Sequence, residues 1–215
     1  MTISNDEARQ IAESIRPIFD EVSSNYSFEK YPAVPYGRFK AAYAAFETNN
    51  HEIHDSLVWK WGHWGKAEFP QAHKNLITEV KGLWPFFLTS GKTRTAQDTF
   101  EWWLEKLGRQ SRFITVAFIT HLVHYRAPLP IIDQHNFRAM NALLSAIRPA
   151  KIRDRKPNSW NDISDLTEFM TSLLSYLPGK RYEELDRFLM MYGKKIKPSK
   201  RRAGRSNVRS QTGRG

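Results

Sequence analysis

The chain has 215 residues, 40% hydrophobic and 13% aromatic, enough to bury the core of one ordinary domain or of two small subdomains, and too apolar for a disordered chain. It has no cysteine, which excludes disulfides, cysteine-ligated clusters, thiolate zinc sites and cysteine nucleophiles, and suits the cytoplasm. The formal charge is +11, but residues 194–215 hold nine of the 33 Lys and Arg and no acid, so the other 193 residues carry 24 basic against 22 acidic side chains.

The basic segment 194–215 is expected to be a disordered tail that binds nucleic acid nonspecifically; a merely solubilising tail is the alternative. The N-terminus is polar and acidic, without the pattern of a signal peptide. The longest apolar run, Phe113 to Val123, is broken by Thr115, Thr120 and His121 and falls short of the roughly 18 residues of a membrane span. A cytoplasmic monomer without membrane attachment is expected.

Ser4 and Glu7 form a capping box for a first helix, with Ala8, Ile11, Ile15, Ile18, Phe19 and Val22 at helical spacing and Pro17 predicting a kink or break. Residues 23–35 read as loop, punctuated by Pro32 and Pro35. A second helix carries Tyr36, Phe39, Tyr43 and Phe46 on one stripe and ends near Asn49 and Asn50. A third runs from His51 to Trp61, burying Ile53, Leu57, Val58 and Trp61. Gly62 and Gly65 stop it and leave Lys60, His63, Trp64 and Lys66 about a turn. Such a turn stacks on a base or wedges a duplex, or else its tryptophans close a corner of the core.

Pro70 opens a helix through Leu76, Ile77 and Val80 toward Trp84 and Pro85, followed by a polar loop at 90–94 and a helix from Thr95 to Leu107. Leu104-Glu105-Lys106-Leu107-Gly108-Arg109-Gln110-Ser111 then leads into an apolar helix over 111–125. Next come Pro128-Leu129-Pro130-Ile131-Ile132, a rigid non-helical entry, and Asp133 where a helix begins. A carboxylate fixed there, beside Gln134, His135, Asn136 and Arg138 in an apolar neighbourhood, is a candidate catalytic group; a plain N-cap is the competing reading.

That helix continues through Phe137, Met140, Leu143, Leu144 and Ile147. Arg148, Lys151, Arg153, Arg155 and Lys156 make a basic loop, either a phosphate contact or solvated surface. An amphipathic helix from Ile163 to Leu177 and a last one through Tyr182, Leu185, Phe188 and Leu189, closed by Gly193, complete the chain. With no period-two alternation and no internal repeat, the fold class is all-α, with nine or ten helices. His51 with His54, and His121 with His124, have ligand spacing but no third ligand, so no metal and no cofactor are expected. Ser90-Gly91-Lys92-Thr93 lacks the upstream glycine and strand of a phosphate-binding loop.

Two of these stretches resemble the helix-hairpin-helix DNA glycosylase superfamily. Asp133, His135 and Arg138 match its Asp-x-His segment and the arginine that follows. Leu104, Leu107 and Gly108 match its Leu-Pro-Gly-Val-Gly-x-Lys hairpin, without the proline and first glycine. The resemblance implies two helical subdomains, residues 36–130 forming one and 1–35 with 131–193 the other, and double-stranded DNA lying across the groove between them. It implies DNA contacts from Gly108, Arg109, Ser111, Arg112, His135 and Arg138, the hairpin amides gripping a phosphate. Lys60, His63, Trp64, Lys66, Arg153, Arg155 and Lys156 are further candidate contacts. The chemistry falls to Asp133 and Gln110, the latter standing where bifunctional members carry a lysine nucleophile. The implied activity is excision of a flipped damaged or modified base without strand cleavage, in repair or in defence against phage DNA with modified bases. The alternative is a non-catalytic helical DNA-binding protein. An aromatic-lined cavity beside Asp133 separates the two.

Overall fold

Accepting side chains at Ser4, Asn49, Thr95 and Asp133 fix where four of the described helices begin. The computed structural model describes residues 2–89, 94–108, 112–148 and 155–196, which form ten α-helices, one 3-10 turn and no strand. Helix α1 (Asn5–Ile15) starts at the expected capping box, with Glu7 N–H donating to Ser4 Oγ at 3.2 Å and Ser4 N–H to Glu7 Oε2 at 2.9 Å. Pro17 sits in a 3-10 turn (Arg16–Ile18) that separates α1 from α2 (Phe19–Ser24). The others are α3 (Ala33–Ala45), α4 (Asn50–Lys60), α5 (Gln71–Leu88), α6 (Ala96–Leu107), α7 (Phe113–Val123), α8 (Gln134–Ile147), α9 (Trp160–Leu174) and α10 (Tyr182–Lys195).

Several boundaries differ from the sequence expectation, among them α9, which begins at Trp160 and ends at Leu174, three residues earlier at each end. Helix α3 starts at Ala33, because Pro35 falls in the first turn, where a missing N–H costs nothing. It stops at Phe46, held at φ 58°, and Asn49 is the N-cap of α4, accepting from His51 and Glu52 N–H, so that it opens a helix where an end was expected. Helix α5 continues past Pro85 to Leu88. Helix α10 runs through Gly193, which is buried, so residues 194 and 195 belong to the helix and not to the tail.

Helix α7 is buried over most of its length and packs on α3, α4 and α6, while α4 and α6 pack on α5. Helix α8 packs on α10, α1 and α9, and α10 also on α2 and α9. One continuous cluster of buried side chains runs through both sets of helices, and truncating a fully buried ring such as Trp103 or Phe118 would cost about 3 to 5 kcal/mol. No described helix is long and apolar enough to cross a membrane.

The connector between α7 and α8 is fastened carbonyl by carbonyl. Tyr182 Oη donates to Pro128 O at 2.7 Å, His121 Nδ1 to Leu129 O at 2.8 Å and Asn136 Nδ2 to Ile131 O at 2.9 Å. Residues 1, 90–93, 109–111, 149–154 and 197–215 lie outside the described residues, and with them the Ser90–Thr93 run, Arg109, Gln110, Ser111, Lys151, Arg153 and the expected disordered tail.

Candidate active site

Asp133 does cap α8, and it does so with one oxygen. Its Oδ1 accepts from His135 N–H at 2.6 Å and Asn136 N–H at 3.1 Å. Among the described residues its Oδ2 takes no hydrogen bond. Asp133 lines a groove of about 1500 Å³ together with Tyr31, Lys60, His135, Lys156 and Lys194. Cap and groove-facing carboxylate are thus compatible in one residue.

Asn136, the third residue of α8, returns the bond and passes the contact on. Its Oδ1 accepts from Asp133 N–H at 2.8 Å, and its Nδ2 donates to Ile131 O and, at 3.2 Å, to Asp186 Oδ1 on α10. A backbone donor at one end and a backbone acceptor at the other fix which way the amide points. Asn136 is itself buried, so this small network is held rigid.

Asp186 lines a second cavity of about 250 Å³, walled by Tyr26, Tyr31, Tyr36, Trp59 and Tyr182. That is just under the roughly 300 Å³ of the smaller drug-sized pockets, the scale of a single flat ring system. Tyr31 lines both cavities, so groove and pocket meet at its side chain. Burial, with the nearby Asp133 charge reinforcing it, pushes the Asp186 carboxyl up to about 7. Burial likewise pushes the hydroxyls of Tyr26, Tyr36 and Tyr182 far up, so all three stay neutral.

His121 completes the pocket floor. Its Nδ1 donates to Leu129 O, which leaves Nε2 to accept from Tyr36 Oη. Burial pulls this imidazole down to about 4, so it stays neutral. Tyr36 in turn stacks on Trp59, ring centroids 4.8 Å apart. Lys60, at the end of α4, sits with its ammonium 5.6 Å from the Phe118 ring centroid. Burial lowers its pKa, while Asp133 and Asp186 act to restore it.

The remaining candidates scatter. Gly108 ends α6 at φ 83°, a conformation suited to glycine. Arg112 is held by Glu79 of α5, its Nη2 donating to Oε1 at 3.0 Å. Arg138 reaches back to His135 Nδ1 at 3.4 Å and to Gly193 O at 3.2 Å. His63 pairs with His73, and Trp64 packs edge-on against Phe39 at 6.2 Å, so that tryptophan closes a core corner. Lys66 is exposed and lines neither cavity. Arg155 is taken up by Asp162, while Lys156 lines the groove. The histidines of both pairs have partners: His51 and His54 meet Asp55 at 3.4 and 3.1 Å, His121 is bound as above, and His124 meets Thr99 at 2.8 Å.

Among the described residues the groove wall carries five Lys or Arg against four carboxylates, a slight positive excess. Of the residues singled out in the sequence, Asp133, Lys60, His135, Arg155 and Lys156 line the groove. Sequence reasoning missed Asp186, Asn136 as the bridge, and the aromatic pocket. Comparison with protein-family models, with curated proteins and with solved structures finds no match to this chain.

Proposed function

We propose that the protein is a DNA glycosylase that takes an extruded base into the aromatic pocket and hydrolyses its N-glycosidic bond, leaving an abasic site. The observation that carries this is the adjacency of groove and ring-sized pocket, with a carboxylate in each: Asp133 in the groove, one amide away from Asp186 in the pocket. A flat ring held among neutral aromatic side chains, beside a groove of about 1500 Å³, suits a base drawn out of its stack. Asp133, with its second oxygen uncommitted, suits stabilisation of the oxocarbenium-like sugar or deprotonation of the attacking water.

The rival reading, a helical DNA-binding protein with Asp133 only as a cap, is favoured by the complete capping geometry. It leaves an open aromatic pocket without a purpose. The discriminating experiment incubates the protein with duplexes that each carry one modified base and scores abasic sites by alkaline cleavage. Product on at least one duplex supports the enzyme; tight binding without product on all of them supports the rival.

A further inference from the structure

We infer that Asp186 is the acid that protonates the departing base, so that the carboxyl groups on either side of Asn136 divide the work, Asp186 acting on the base and Asp133 on the sugar. This rests on the glycosylase reading.

The placement of the proton follows from hydrogen-bond geometry. Asn136 Nδ2 is obliged to donate, and it donates to Asp186 Oδ1. A proton on Asp186 therefore resides on Oδ2, which has no partner among the described residues, in a side chain that lines the pocket. Among the described residues the other carboxyl that lines the pocket is Glu183, and it is bound by Lys40 at 3.0 Å. The ionisable groups around Asp186 are Asp133 at the start of α8, Lys60 from α4, Arg187 and Tyr182 on its own helix, and Tyr26 and Tyr36 from the other side. Lys60 and Arg187 favour the carboxylate, but burial and Asp133 outweigh them, and the carboxyl is half protonated at about pH 7. That is the range in which an acid works best at neutral pH. Two carboxyl groups in one site, one driven to stay protonated, form a pattern that separates acid from base.

The balance closes. The C1′–N bond breaks with its electron pair going to the base nitrogen, and Asp186 Oδ2 supplies a proton to the base. Water attacks C1′ and gives its proton to Asp133. After release, Asp133 loses that proton to solvent and Asp186 regains one. The assignment predicts a substrate class: neutral bases need Asp186, whereas a purine already cationic through N-alkylation leaves as a neutral molecule without it.

The test is single-turnover excision by full-length wild type and Asp186→Asn on duplexes carrying a neutral base (uracil, hypoxanthine) or a cationic one (7-methylguanine, 3-methyladenine). Asparagine still accepts from Asn136, so the network survives. On a neutral base the mutant should lose roughly 100-fold or more. On a cationic base it should stay within about threefold. The wild-type rate on a neutral base should fall about tenfold per pH unit above pH 7, and the mutant rate should be flat there. Equal losses on both kinds of base, no loss at all, or wild-type activity confined to cationic bases overturns the role of Asp186. Wild type that excises no base from any duplex removes the glycosylase reading itself, a result distinct from a mutant that matches an active wild type.

Discussion

A Cβ placed on Gly193 would stand 1.9 Å from the carbonyl oxygen of His135. Helix α10 therefore lies directly on the first turn of α8, backbone against backbone, within one turn of the Asp133 cap. No side-chain rotation relieves that clash. Gly193→Ala should force the helices apart and cost about 3 kcal/mol or more, beyond ordinary overpacking of side chains. Because α8 carries Asp133 and α10 carries Asp186, excision measured well below the melting temperature should fall as well. A mutant with unchanged melting and activity would show that this contact is not tight in solution.

Asp133→Asn separates cap from chemistry. Both capping bonds fall on Oδ1, which asparagine retains. The melting temperature should hardly move and DNA binding should persist. Single-turnover excision should drop by a factor on the order of 10² to 10⁴. Full activity in the folded mutant would hand the protein to the binding-only reading.

Asp186 also carries a stability signature that needs no substrate. An unfolded aspartate titrates near 3.9, and the folded one is pushed up to about 7. Between those values the folded state keeps a proton that the unfolded state has released. Stability is therefore lost as pH rises from about 4 to 7, and the penalty is complete above. Asp186→Asn removes the penalty. At pH 8 the mutant should be more stable by about 1 to 2 kcal/mol after solvent screening, or roughly 2 to 8 °C in Tm, with no gain near pH 4. Parallel pH–Tm curves for the two proteins would contradict the shift.

Lys60 tests whether the reaction is purely hydrolytic. Gln110 offers no amine and Lys106 is paired with Glu105 at 3.0 Å, which leaves Lys60, whose pKa burial lowers while Asp133 and Asp186 act to restore it. Borohydride added during turnover should trap no protein–DNA adduct. An adduct that disappears in Lys60→Gln would make Lys60 a nucleophile and the enzyme a lyase.

Residues 197–215 carry seven Lys or Arg and no acid. Truncation belongs after Ile196, since cutting at Gly193 would remove the last turn of α10. The shortened protein should bind any duplex more weakly, with a flatter dependence of log K on log salt, and choose the same base. An unchanged salt slope would deny the tail a part in binding.

What the sequence made legible were local devices. The Ser4–Glu7 box, the Pro17 break and the Asp133 cap each form between residues a few positions apart, so their signals survive in one dimension. The pocket does not, because its walls come from residues 26–36, 59, 121 and 182–187, which only tertiary packing assembles. Asp186 was passed over because an acid on an amphipathic helix ordinarily faces water. Its one signal was position: next to buried Leu185 and one turn after Tyr182, at the edge of the apolar stripe. Gly193 read as a helix stop because glycine marks chain ends and close packing alike, and only the neighbour across the interface tells them apart.

The three fastened carbonyls of Pro128, Leu129 and Ile131 have a kinetic consequence. They clamp the connector beside the pocket to α10, α7 and α8, so that segment does not swing away to admit a guest. On the proposed function, the opening motion then belongs to the DNA. Each base would be tested during its own excursion from the helix, and weakly paired or distorted positions, which make such excursions more often, would be sampled first. Discrimination would begin with the lifetime of an open base pair, before any group in the pocket has touched the ring.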